Sequence, residues 1–269
     1  MNPAPRAEIR VVETAFTGDV YFDTAVSAAL MRQVARGEIG PTIRLNRTGP
    51  ILAFGKLDRL RPGYRRAVEI AREHGYVPLE RLAGGRAAVF HEGTISFSHA
   101  VRAEGRRGAY SGTRDRFEAM ARTIADALAA LGIDSAVGEV EGEYCPGEFS
   151  VNARGETKLA GIGQRVVVGG AHVGGVIVIR GGNRIRDVLT PIYEALELDW
   201  KPETTGSAAL ELGEDDDTIP VDERDPLIDR AMTALKEELS RTTELLPAEL
   251  GESTLKFAAE LAADHRPRV

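Results

Sequence analysis

The chain has 269 residues, 43% of them hydrophobic, which is enough for a real core and too much for wholesale disorder. A net charge of −7 argues against nucleic acid as the main partner, since neutralising phosphates needs a basic surface. No apolar run reaches the roughly 18 residues of a membrane span. The start, MNPAPRAEIR, lacks the apolar stretch of a signal peptide, so the expectation is a cytoplasmic chain with no membrane partner.

Residues 20–37 place Phe22, Val26, Ala29 and Leu30 at helical spacing. TIRLN (42–46) and ILAFG (51–55) read as two strands around the turn Arg47-Thr48-Gly49. YRRAVEIAREHG (64–75) reads as a helix ended by Gly75. Short strands follow near 77–80 and 86–90, then a longer one, TISFSHAV (94–101), with alternating apolar and polar residues. The clearest helix spans 112–132: Thr113 can cap it, Asp115 suits its positive end and Gly132 ends it. From 149 onward FSVNA, KLAGIGQRVVV and AHVGGVIVI read as strands joined by hairpin turns at Arg154-Gly155-Glu156 and Gly169-Gly170. The acidic stretch 206–220 reads as a linker or surface loop. Asp225 and Pro226 open one terminal helix, and ESTLKFAAELAADH (252–265) forms a second.

Three features carry candidate chemistry. Gly84-Gly85 can adopt positive φ and let a ligand approach the backbone, although a bare pair of glycines most often marks a plain turn. It has neither dinucleotide-binding nor phosphate-loop spacing. Cys145, the only cysteine, cannot form an intramolecular disulfide, and its setting EGEYCPGE is polar and turn-forming rather than a core run. Such a thiol becomes reactive beside a cation, while Glu143 and Glu148 oppose this unless they point away. Lys158 opens a run of small residues. Most lysines are solvated surface charges, but burial here would lower its pKa and suit it to proton transfer. The five histidines show no helical metal-site spacing, so no catalytic metal is expected.

These segments resemble a known family. RLAGGRAAVFHEGTISFS (81–98) is similar to the RxxGGRAVxHxxExTYS segment of the biotin/lipoate protein ligase superfamily, in its cysteine-dependent octanoyltransferase branch. EYCPGEFSVNARGETKLAGIGQR (143–165) looks like the YCPGxYDLSIxGKKxAGxxQRR stretch of the octanoyl-[H protein]:protein N-octanoyltransferases. LAFGKLDRLRPGYRRAVEIAREHG (52–75) resembles a third segment of that branch, and the likeness runs over about residues 20–200.

The resemblance implies an α/β (α+β) fold like that of the lipoate and biotin protein ligases: a mainly antiparallel mixed sheet flanked by helices, with a second small sheet. Residues 1–210 would form the catalytic domain, with 211–269 an acidic loop and helices packed on it. Cys145 would be the acyl-accepting nucleophile and Lys158 the active-site amine. Arg81, Gly84, Gly85, Arg86 and His91 would line the acyl pocket, and Gly161 and Gln164 the adjacent strand wall. Arg86 stands where ATP-using ligases carry a third glycine, which argues against adenylate formation, so no ATP or other cofactor is expected. Phe97 replaces the pattern's Tyr, and Ala88 its Val. The implied donor is acyl carrier protein or glycine-cleavage H protein, and the acceptors are lipoyl domains of 2-oxoacid dehydrogenases. Two alternatives stand: an ATP-dependent lipoate or octanoate ligase, and a non-catalytic acyl-binding relative.

Overall fold

Alternating apolar and polar residues in TIRLN and TISFSHAV give each strand one face for a core and one for a site. A computed structural model describing residues 6–103, 112–219 and 224–269 shows how those faces are used. The strands are β1 (Ala7–Val12), β2 (Thr42–Asn46), β3 (Ile51–Phe54), β4 (Val77–Glu80), β5 (Ala88–Phe90), β6 (Thr94–Arg102), β7 (Ser135–Val137), β8 (Val151–Ala153), β9 (Thr157–Val167), β10 (Gly170–Val178) and β11 (Thr243–Pro247). The helices are α1 (Val20–Arg36), α2 (Tyr64–Glu73), α3 (Thr113–Ala130), α4 (Gly182–Ala195), α5 (Ala208–Leu212), α6 (Pro226–Ser240) and α7 (Glu252–Leu261). A mixed eight-stranded sheet runs β11-β1-β2-β6-β10-β9-β8-β7, and a separate three-stranded sheet runs β4-β3-β5.

Odd-numbered residues of β2 and β6, with β9 and β10 side chains, pack Ile43, Leu45, Ile95, Phe97, Val173 and Ile177 against α3 and α6. The opposite face carries α1, whose Val26, Ala29 and Leu30 are buried as the spacing predicts, and α7 packs outside it. The Asp19 side chain accepts from the Phe22 N–H, and Gly37 in the left-handed region ends α1. The small sheet packs with α2 and α4 around Phe54, Tyr64, Val89 and Tyr193.

Several expectations need correction. β2 and β3 do not pair as a hairpin. Both are buried on both faces, so each sits inside its own sheet, β2 between β1 and β6 and β3 between β4 and β5. Thr113 is the first helical residue of α3 rather than its cap; Gly112, at φ 73°, precedes it. The acidic stretch is more than a surface loop over its described residues. It holds α5, and buried Asp216 accepts from the Gly181 N–H at 2.8 Å. Its last residue, Pro220, lies outside the described residues. Strands β1, β7 and β11 and helix α4 were not foreseen. No helix among the described residues is long and apolar enough to cross a membrane.

Candidate active site

Cys145 lies in a turn, and its own backbone N–H and carbonyl are both hydrogen-bonded. Its φ of 44° is one a non-glycine residue rarely adopts, and holding it requires compensating contacts. The Tyr193 hydroxyl on α4 accepts from the Cys145 N–H at 2.7 Å and donates to the Ala87 carbonyl at 3.1 Å. The Lys158 ammonium, 1% exposed, donates to the Cys145 carbonyl at 2.8 Å, the Tyr144 carbonyl at 3.0 Å and a Glu143 carboxylate oxygen at 3.0 Å. All three lysine donors are therefore used. Glu143 is equally committed, accepting also from the N–H groups of Gly147 and Val140 and from the Ser150 hydroxyl. The acid that threatened the thiol points away from it, toward Lys158. Glu148 turns outward and pairs with Arg114 at 2.6 Å.

The thiol itself faces the glycine turn. Sγ accepts from the Arg86 N–H at 3.2 Å and lies 3.6 Å from the Arg81 guanidinium, which also donates to the Gly84 carbonyl. Gly85, at φ 109°, is required here, because a Cβ would fall 2.8 Å from Sγ and within bonding range of Arg81. Burial pushes the Cys145 thiol up, but the Arg81 guanidinium, the Lys158 ammonium and the Arg86 N–H together outweigh it. The net result is a thiol below its ordinary value, and so a larger thiolate fraction at neutral pH. Removing a cation raises a thiol pKa, so Arg81→Met is expected to move the acid limb of Cys145 alkylation to higher pH. The rate at neutral pH then falls about tenfold per unit of displacement. Iodoacetamide kinetics across pH read this directly, and an unmoved limb would contradict the assignment.

The thiol opens on a cavity of about 370 Å3 between the large and small sheets, a size usual for a small-molecule site. Its floor follows the strand register. Gly161 and Gly163 on β9 oppose Val176 and Gly174 on β10, which oppose Ser96 and Ser98 on β6, which oppose Asn46 and Arg44 on β2. With strands about 4.8 Å apart, that path is roughly 14 Å long. Gly163 keeps it open, since a Cβ there would come within 2.9 Å of Ala83. Ile51, Ala53, Leu79, Phe90 and Ile162 supply apolar wall. The far end is polar: buried Arg44 donates to the Asp23 carboxylate at 2.7 Å and to Ser27 at 3.0 Å.

Most of the residues singled out in the sequence meet here. Cys145, Lys158, Arg81, Gly84, Gly85, Gly161 and Gln164 all line the cavity. Arg86 contributes its backbone N–H, while its guanidinium turns away to Asp58 at 3.5 Å. His91 does not line the cavity and is corrected: its fully buried ring accepts from the Gly93 N–H at 3.0 Å. Burial and then Arg184 push its pKa down to about 4, so it is a neutral structural side chain. Tyr193 and Arg44 were missed, and Glu143 stood only as a charge opposing the thiolate. No group of His, Cys, Asp and Glu among the described residues could hold a metal ion.

Comparison with known proteins follows the same lines. The lipoyl protein ligase A/B catalytic domain family matches residues 19–202. The chain is 32% identical over 163 residues to an octanoyl-[GcvH]:protein N-octanoyltransferase of Anoxybacillus flavithermus, which covers 60% of this chain and 57% of the relative. It is 29% identical over 190 residues to the protein of that name from Geobacillus kaustophilus, covering 69% of this chain and 65% of the relative. The matches thus span less than two thirds of either relative. A T. acidophilum protein described as a lipoate protein ligase with bound lipoic acid superposes with a TM-score of 0.69 at 18% identity, over 96% of this chain and 95% of that one. A lipoate-protein ligase A bound with ATP superposes with a TM-score of 0.68 at 17% identity, over 96% and 94%. These structures share the fold, a mixed sheet with a second small one. The family match takes in the glycine turn, the cysteine turn and the cavity floor together, and the chain belongs to the lipoyl protein ligase A/B catalytic domain family.

Proposed function

We propose that this protein is an acyltransferase that moves an octanoyl or lipoyl group from a carrier protein to a lysine of a lipoyl domain through a thioester on Cys145. The observation that carries this reading is a thiol of lowered pKa, held by Arg81 and the Arg86 N–H, at the mouth of a largely apolar cavity. The relatives' names, octanoyl-[GcvH]:protein N-octanoyltransferase, support it. They favour glycine-cleavage H protein as donor, with acyl carrier protein as the other candidate; the acceptors are lipoyl domains of 2-oxoacid dehydrogenases.

The Cys145 thiolate attacks the donor's acyl carbonyl, the C–S bond forms and the carrier's nitrogen or sulfur leaves with a proton. The acceptor's neutral lysine amine then attacks the thioester, the C–S bond breaks, the sulfur departs as thiolate, and the amine's proton passes to solvent, which also supplies the proton that leaves with the carrier. The Arg86 N–H is a donor placed to meet charge developing beside the sulfur. Lys158 positions the cysteine turn through its three hydrogen bonds and adds positive charge near the thiol. Each buried methylene of the acyl chain contributes about 0.8 kcal/mol of affinity. No step uses ATP, and a lone reduced thiol suits the cytoplasm.

The test is intact-mass measurement of the protein incubated with octanoylated H protein and no ATP. An adduct of about 126 Da, removed by neutral hydroxylamine, is expected on covalent transfer. Product formed from free octanoate only when ATP is supplied would move the protein to the ligases.

A further inference from the structure

The loop joining β3 to α2, residues 55–63, takes no part in the chemistry above, and its two sides differ. The inner side is fixed. Asp58, fully buried, accepts from the Gly55 N–H at 2.8 Å and lies 3.5 Å from the Arg86 guanidinium. Gly55 packs so closely on the glycine turn that any side chain there would strike the Gly85 carbonyl. Since the Arg86 N–H meets the thiol, the loop is held one residue away from the nucleophile. Gly84 and Gly85, against which Gly55 packs, are themselves exposed, as is Pro146 next to Cys145.

The outer side is bare. Leu57 is 57% exposed and Leu60 74% exposed, with exposed Lys56 and Pro62 beside them. Covering a leucine fully is worth about 1.5–3 kcal/mol, and paired leucines on a tethered loop mark a contact surface. The charge is also local. On a chain of net charge −7, residues 56–66 hold five cations and one acid, and that acid, Asp58, faces inward. Arg59 pairs with Glu80 and Arg66 with Glu73. Lys56, Arg61 and Arg65 have no ion pair among the described residues, although Arg61 donates to the Glu197 carbonyl.

We propose that this loop is the docking surface for the acyl-carrying protein and, in the second half-reaction, for the acceptor domain. The partner is a folded domain whose contact face is acidic around an apolar centre. Leu57 and Leu60 meet that centre, and Lys56, Arg61 and Arg65 meet its acids. The inference rests on the acyl transfer proposed above: a thioester mechanism presents two proteins in turn to one sulfur, and one rim beside that sulfur serves both. Local positive potential steers an acidic partner toward an otherwise acidic protein, and salt weakens that steering.

The experiment compares the full-length protein with two double variants, Leu57→Ser with Leu60→Ser and Lys56→Glu with Arg65→Glu. Cys145 acylation is followed by intact mass with two donors, octanoylated H protein and octanoyl-N-acetylcysteamine, a small thioester that needs no docking. Transfer to a lipoyl domain is followed in parallel. Both variants are expected to raise KM for the protein donor and acceptor about tenfold, a loss typical of interface anchors. Acylation by the small thioester stays within about 2-fold. The parent's KM for protein partners rises between about 0.05 and 0.5 M salt, and the charge variant loses that dependence. Unchanged KM for the protein partners overturns the proposal, and so does an equal loss with both donors. A dimer of the parent that dissociates in the leucine variant assigns the patch to a second copy and also overturns it. If neither donor acylates Cys145 in the parent, the transfer reading falls, and the docking role with it; acylation with unchanged KM removes the docking role alone.

Discussion

Cys145→Ser is expected to lower acyl transfer by at least about 10³-fold while leaving the fold in place. The cations that bring a thiol below its ordinary value leave a serine hydroxyl far from ionised, so serine needs a neighbouring base. None is bonded to the sulfur among the described residues: the contacts of Sγ are the Arg86 N–H and the Arg81 guanidinium, and His91 is buried against Gly93. Stability is expected to change by less than about 1 kcal/mol. The contacts that hold the unusual φ, from Tyr193 and Lys158, engage the backbone of residue 145 and survive the change of side chain. A transfer assay with a thermal melt separates the two effects. A serine variant that kept parental activity would remove the thioester.

The parts of this site legible in the sequence are those where residue type alone carries meaning. A lone cysteine in a polar turn, a Gly-Gly pair and a lysine among small residues stand out without knowledge of the fold. Glu143 did not, since two residues before Cys145 in the sequence it looks like a charge that opposes a thiolate. Only the return of β9 against β8 brings Lys158 across to neutralise it. Arg44 sits at a polar position of an alternating strand and reads as solvent-facing, yet α1 covers that face and supplies Asp23. For His91 the resemblance alone pointed to the acyl pocket, and its ring is instead buried against Gly93.

The fold divides in a similar way. Helices with strong caps or apolar spacing, such as α1 and α6, were readable from local residues. α4 was not, although Ile185, Val188, Leu189 and Ile192 follow helical spacing, because Gly181-Gly182 before it and Pro191 within it both read as breaks. β1 and β11 pair in parallel from opposite ends of the chain, Ala7 with Thr243, and no nearby turn announces them. The small sheet follows from the resemblance but not from the residues alone: β2 and β3 look like a hairpin until their two-sided burial separates them.

Glu143→Ala is expected to cost about 3–5 kcal/mol of stability, as breaking a buried ion pair by removing one partner generally does. The variant leaves the Lys158 ammonium, the Gly147 and Val140 N–H groups and the Ser150 hydroxyl without their acceptor in a place water does not reach. For a chain of this size that loss lowers the melting temperature by roughly 6–20 °C. Activity falls as well, because Lys158 no longer has a fixed position from which to hold the Cys145 turn. Pairing Glu143→Leu with Lys158→Met discriminates between the two consequences. Removing both charges together takes away the unpaired buried ion, so most of the stability returns, while the thiol loses a cation that lowers its pKa and the turn loses its anchor. Denaturant unfolding beside the acylation assay reads each quantity separately. A single Glu143→Ala variant that melts within a degree or two of the parent would show that the carboxylate is not what secures the cysteine turn.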